Sequence, residues 1–243
     1  MRLTAELIQG SLSYINPLTE RELDLRGHKI PAIENLGVAR EQDCIDFTDN
    51  DIAALSNFPL SPRLHTLLLA RNRIAHIQPT LARSLPNLST LVLTHNQISE
   101  LSDLEPLSGL AKLTHVVLME NPVAQKENYR LYVLYLNPHI RFLDYRKVRD
   151  AERAQSRALF GTTDAPTELA QKISGIKSKT FDVPSGLGVA NGVGGEKAIA
   201  LRLSDKEKKK VEELIRNAKS LSEISRLEKA LNEGRLPPGI VVD

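Results

Sequence analysis

One spacing constrains this chain more than any other feature. Residues 64–77 read Leu64-x-x-Leu67-x-Leu69-x-x-Asn72-x-Ile74-x-x-Ile77, and residues 88–101 repeat the pattern from Leu88 to Leu101 around Asn96. Upstream, Ile45-x-Phe47-x-x-Asn50-x-Ile52-x-x-Leu55 has the same shape. So does Leu23-x-Leu25-x-x-His28-x-Ile30-x-x-Ile33, with a histidine in the asparagine place. Leu113-x-x-Val116-x-Leu118-x-x-Asn121-Pro122-Val123 closes the series. The marked positions 28, 50, 72, 96 and 121 are 22, 22, 24 and 25 residues apart.

That period is the signature of a leucine-rich-repeat solenoid. The expected fold class is α/β: about five repeats, a parallel sheet on the concave face, a helical N-terminal cap, a C-terminal cap and a partly flexible helical tail. In Leu67-x-Leu69 every second side chain of a short strand is buried. The asparagines Asn50, Asn72, Asn96 and Asn121 can each use an amide and a carbonyl on loop backbone, forming a ladder that satisfies buried main-chain groups. No single repeat encloses its own core, so both ends need covers. At the N-terminus, Leu3, Leu7, Ile8, Leu12 and Ile15 predict one amphipathic helix over residues 3–15, capped by Thr4 and stopped before Pro17. At the other end, Tyr129 to Leu134 predicts a helix and Ile140 to Asp144 a last short strand.

Three segments follow: a repeat domain with caps over 1–160, a flexible linker over 161–204 and an amphipathic tail element over 205–236. Asp150–Phe160 predicts a helix with Asp150 as N-cap and Gly161 just past its end. The linker is rich in Gly, Ser, Thr and Pro. In the tail, Val211, Leu214, Ile215, Ala218, Leu221, Ile224, Leu227 and Leu231 recur at helical spacing. It is a candidate docking element for other proteins.

The strand pattern exposes two columns on the concave face as the partner-binding site. One is Asp24, Asp46, Leu68, Val92 and Val117; the next is Arg26, Thr48, Ala70, Thr94 and Met119. The first repeats are charged and mostly acidic. The later ones are apolar, and an apolar patch on a rigid curved sheet marks a binding site. A partner helix would lie there, its cations meeting Asp24 and Asp46.

The function classes that remain are narrow. The formal net charge of +2 divides into −3 over residues 1–144 and +5 over residues 145–243. The six histidines and Cys44 show no metal spacing with acidic residues, and no phosphate loop or nucleophile elbow occurs. We therefore expect no enzyme, no catalytic residue, no metal and no cofactor. The single cysteine points to a reducing compartment. No apolar run reaches membrane-spanning length, so no membrane partner is expected. Lys147, Arg149 and Arg153 form a basic group suited to RNA phosphates. The concave face is expected to lack the aromatic side chains that stack bases.

Particular runs also resemble one family. They are Leu3-Thr4-Ala5-Glu6-Leu7-Ile8, Arg21-Glu22-Leu23-Asp24-Leu25-Arg26-Gly27, Lys29-Ile30-Pro31 with Ile33-Glu34-Asn35-Leu36-Gly37, Ile45-Asp46-Phe47, Asn121-Pro122-Val123 and Tyr129-Arg130-Leu131-Tyr132-Val133. Together they resemble the A-prime proteins of the spliceosomal ribonucleoprotein that pairs with the intron branch point, the U-two particle. The likeness is dense over 1–160 and returns at Asn217-Ala218-Lys219-Ser220-Leu221 and Gly234-Arg235-Leu236-Pro237. His28 departs from it, where relatives carry Tyr. The resemblance implies a nuclear, structural role in mRNA splicing. It implies a B-double-prime RNA-recognition-motif protein on the concave face and a small nuclear RNA stem-loop bound mainly through that protein. A generic regulatory scaffold of the phosphatase-targeting or ciliary type is the alternative.

Overall fold

The computed structural model describes residues 1–163 and 165–176. The strands are β1 (Ser13–Ile15), β2 (Arg21–Asp24), β3 (Cys44–Asp46), β4 (Ala54–Leu55), β5 (Thr66–Leu68), β6 (His76–Ile77), β7 (Thr90–Val92), β8 (His115–Val117), β9 (Phe142–Leu143) and β10 (Arg146–Lys147). Eight of them form one sheet in the order β1-β2-β3-β5-β7-β8-β9-β10. From β2 to β9 it is parallel, and antiparallel hairpins finish both edges. β4 and β6 make a separate parallel pair.

The register explains how repeats of unequal length stay in phase. Leu23, Ile45, Leu67, Leu91, Val116 and Leu143 stand side by side across the sheet. All six are buried beneath it. The extra residues of the longer repeats go into the return path, as a short helix at Leu81–Ser84 and a 3-10 turn at Leu101–Gly109. The core is almost wholly aliphatic, as a chain without tryptophan requires.

The asparagine ladder forms as expected. Asn72 donates to the Phe47 carbonyl at 2.9 Å and the Leu69 carbonyl at 3.2 Å, and its own carbonyl accepts from the Ile52 N–H at 3.0 Å. Asn50, Asn96 and Asn121 repeat the arrangement. The residue before each asparagine is left-handed: Asp49, Arg71, His95 and Glu120 have φ of 61°, 54°, 58° and 59°. Gly27, at φ 70°, holds the same place before His28. The first repeat has no earlier repeat for an amide to reach, which is why a histidine suffices there.

The N-terminal cap differs from expectation. The helix α1 spans only Ala5–Gly10, with Thr4 capping it through the Leu7 N–H at 3.2 Å. Leu3 and Ile8 are buried, but Leu12 and Ile15 are exposed on β1 and the turn before it. A longer helix would have left the outer edge of β2 unpaired, and the β1 hairpin satisfies it.

The C-terminal cap carries α3 (Tyr129–Leu136) and α4 (Asp150–Phe160), numbered after the Leu81–Ser84 helix as α2. Arg130 binds Glu152 at 2.5 Å and the Leu143 carbonyl at 2.9 Å, tying helices and hairpin together. Tyr132, Tyr135 and Phe160 pack with ring centroids 5.3–5.6 Å apart. Asp150 is the first helical residue rather than the cap; the extended Arg149 takes that place, its N–H held by Glu152 at 2.8 Å. Gly161, at φ 78°, ends α4 as expected, and a Cβ there would collide with the Ala165 carbonyl.

The first residues of the segment expected as linker carry ordered structure. Thr167 caps a further helix, α5 (Glu168–Ser174), whose Ala170 is buried in the same core. Gly161, Thr162, Thr163, Pro166 and Thr167 before it gave a coil-like composition, while Leu169, Ala170 and Ile173 supply an apolar face. The expected tail helices over 205–236 lie outside the described residues.

Replacing Asn72 by Ala leaves the Ile52 N–H unpaired in a dry interior and takes one of two amide donors from each of the Phe47 and Leu69 carbonyls. At about 1–3 kcal/mol for the buried orphan and about 1 kcal/mol for each carbonyl bond lost, the change should destabilise the fold by several kcal/mol. A differential scan should show a melting point lower by roughly 10 °C. The exposed Gln97→Ala should move it by no more than about 2 °C.

Candidate protein-docking and RNA-contact surface

The concave face is built from strand positions whose neighbours in the sequence are buried leucines. Its charged end is more organised than composition suggests. Arg26 reaches back to Asp24 with contacts of 2.6 and 2.9 Å, and its Nε stands 3.6 Å from Asp46. Each aspartate also accepts from a backbone N–H two residues on, Asp24 from Arg26 at 3.1 Å and Asp46 from Thr48 at 2.8 Å. The Arg26 guanidinium holds the Asp24 carboxyl below the usual carboxylate range. Asp46 is buried. The two acids therefore share one cation and steady the strand ends, and Arg26 is itself exposed.

Further along, Leu68 and Val92 lie side by side and half-buried, with Ala70 and Thr94 in the next column and Met119 exposed. The Thr94 Oγ1 is enclosed and has no hydrogen-bond partner in the described structure. Val117 departs from expectation. At 5% exposure it belongs to the floor of the face, not to an exposed patch. The apolar band is thus Leu68, Val92, Ala70 and Met119, narrower than the sequence suggested.

A third column escaped the sequence reading. Glu22, Cys44, Thr66, Thr90, His115 and Phe142 precede the buried leucines and stand in register across the sheet. The period-two alternation carried the signal, since residues on both sides of a buried one face the same way. Glu22 accepts from Tyr14 at 2.7 Å and from Asn16 at 2.9 Å, which pushes the Tyr14 phenol up to about 12. Glu20 accepts from Thr66 at 2.9 Å, so the first hairpin reaches across the sheet. Cys44 is wholly buried beneath these groups. Burial and then the neighbouring Glu22 raise its thiol, which makes it a poor nucleophile.

At the far end of this column His115 stacks on Phe142, with centroids 4.9 Å apart and planes 7° from parallel. The expectation that the concave face lacks aromatic side chains is corrected by this pair. Lys147 pairs with Phe142 across the last hairpin and so shares its face. The column runs from an acid at Glu22 to a cation at Lys147.

The three residues expected to meet phosphate divide. Lys147 and Arg149 are exposed. Arg153 is not free: its guanidinium donates to the carbonyls of Pro138 and Ile140, closing the end of α3. Arg141 and Arg146, both exposed, stand on the same edge. Among the described residues no cluster of three metal-ligating side chains occurs, and no helix is long and apolar enough to cross a membrane.

Known proteins agree with this architecture. Residues 1–174 match the leucine-rich-repeat family. The chain is 65% identical to the U2 small nuclear ribonucleoprotein A′ of Aspergillus fumigatus over 98% of its length and 94% of the relative's. It is 44% identical to that of Homo sapiens, over 98% and 90%. Among solved structures, the crystal structure of the Drosophila melanogaster SNF/U2A′ complex superposes with a TM-score of 0.67 at 48% identity, covering 71% of this chain and 99% of that one. The chain belongs to the U2 small nuclear ribonucleoprotein A′ family, a non-enzymatic class of leucine-rich-repeat spliceosomal proteins.

Proposed function

We propose that this protein is a structural clamp of the U2 particle in the nucleus. It holds a B-double-prime RNA-recognition-motif protein on its concave face and adds phosphate contacts to the small nuclear RNA stem-loop that this partner reads, in support of pre-mRNA splicing. The observation that carries the reading is the concave face itself. An apolar band, the half-buried Leu68 and Val92 with the exposed Met119, is followed to one side by the Asp24–Arg26–Asp46 cluster. The fruit-fly relative was solved in complex with a second protein, which supports a protein partner for this chain. The band would desolvate a helix, and the charged end would set its direction. Asp24, Arg26, Thr48, Leu68, Ala70, Val92, Thr94 and Met119 remain the proposed contacts, with the buried Asp46 acting behind Arg26.

A rigid, preformed sheet suits this role because little conformational freedom is lost on docking. Sequence reading is assigned to the partner, since RNA-recognition-motif domains stack and read unpaired bases on their own sheet. Lys147 and Arg149 supply charge at the C-terminal edge. Arg153 is assigned instead to holding the cap.

Leu68→Glu together with Val92→Glu should abolish capture of the partner, because two unpaired charges would be buried in the interface. The expected loss exceeds about 3 kcal/mol, more than a hundred-fold in Kd by calorimetry. Circular dichroism should stay native, since both side chains lie on the face rather than under it. Undiminished binding by the folded double variant would rule out concave docking.

Changing Lys147 and Arg149 together to Ala should weaken the assembled pair's affinity for every stem-loop alike. The slope of affinity against salt should fall by about one to two units, roughly one for each phosphate that is no longer neutralised. An unaltered slope would remove these residues from the RNA surface.

A further inference from the structure

The hairpin joining β9 to β10 has a two-residue turn, Asp144–Tyr145, between the paired Leu143 and Arg146. Both turn residues are left-handed, at φ 53° and 60°. Two-residue hairpins with this twist favour asparagine or aspartate followed by glycine. Asp144 suits its place and is fixed there: its carboxylate accepts the Leu118 N–H at 2.8 Å and the Tyr129 hydroxyl at 2.9 Å. Tyr145 occupies the place that glycine would fill at less strain. Its side chain is 74% exposed, the highest value for any large apolar or aromatic residue among those described. A bulky aromatic held in strained backbone and left in water has no packing reason to be there.

Cations outnumber acids around it, with the Asp144 carboxylate held inward and Asp150 the exposed acid nearby. Arg141, Arg146, Lys147 and Arg149 are all exposed on the same hairpin and the segment that follows it. None of them makes a salt bridge among the described residues. The stacked His115–Phe142 pair lies on the adjacent concave edge. An exposed ring among unpaired cations is the chemistry that receives a nucleobase while its phosphates meet the cations.

We propose that Tyr145 is a stacking platform for an unpaired nucleotide of the bound RNA, with Lys147, Arg149, Arg141 and Arg146 tracking the adjoining backbone. The proposal rests on the RNA-contact reading above and deepens it. Lys147 and Arg149 act on any phosphate, paired or not, whereas Tyr145 acts only where a base is free to stack. The fixed Asp144 turn presents the ring without an ordering cost on binding.

The test uses the full chain at low salt with two RNA probes, a blunt hairpin and the same hairpin with a short unpaired extension. Tyr145→Gly relieves the turn and should keep its melting temperature within about 3 °C of the native protein, so a folding failure does not confuse the result. Tyr145→Gly and Tyr145→Ala should lose about ten-fold in affinity for the extended hairpin, the worth of one stacked base. They should bind the blunt hairpin as the native chain does, with the same salt slope. Tyr145→Phe keeps the ring and should bind both as the native chain does. Unchanged affinity for the extended hairpin overturns the proposal. So does an equal loss on both probes, or a loss seen only in capture of the protein partner. In each of those cases native, salt-dependent RNA binding leaves the basic surface standing. A native chain that binds neither probe overturns the basic surface and the stacking platform together.

Discussion

The side-chain amides of Asn50, Asn72, Asn96 and Asn121 each stand where the chain leaves the sheet and turns beneath it. There the backbone must drop its strand pairing inside a dry core, and its polar groups have no water to fall back on. Each asparagine carries both a donor pair and an acceptor, so one side chain serves its own repeat and the repeat before it. Asn96, for example, donates to Leu69 and Leu93 and accepts from Ile74. The ladder thus sets the stacking distance and the register together. The in-phase strands, the buried leucine row and the even concave face all depend on it.

Once the register is fixed, the concave face is no longer free to vary. Residues that flank a buried leucine must face outward, and those at equal places in successive repeats must align. A charge at one repeat and an apolar residue at the next become a gradient along the sheet: Glu22, Asp24 and Asp46 at one end, Leu68 and Val92 in the middle, Phe142 and Lys147 at the other. An elongated partner that contacts the whole face meets acid, then oil, then base. Under the proposed docking, this order would give orientation as well as affinity, since a reversed partner would face like charges.

The caps solve a different problem, because the ladder ends with the repeats. At the start, the β1 hairpin closes the sheet edge, and Glu20 and Glu22 fasten it to Thr66, Tyr14 and Asn16. At the finish, the Asp144 carboxylate receives the Leu118 N–H, whose counterparts in earlier repeats go to a carbonyl of the next strand, and Arg130 gathers Leu143 and Glu152. The polar groups that terminate the solenoid also shape the surface near the proposed RNA edge.

The repeat spacing alone determined the fold class, the number of repeats, the ladder residues and two of the three concave columns, because each follows from a local rule of alternation. The cap over 129–136 and the helix over 150–160 were also legible, as their apolar spacing and end signals are local. Only the tertiary structure decided the rest. Leu12 and Ile15 fit a helical stripe as well as a strand, and the unpaired edge of β2 chose the strand. Val117 belongs to an outward column by pattern, yet it is buried once its neighbours are in place. Arg153 reads as a surface cation until the carbonyls at the end of α3 claim it. In each case the sequence offered two states of similar local energy, and contacts between residues far apart in the chain selected one.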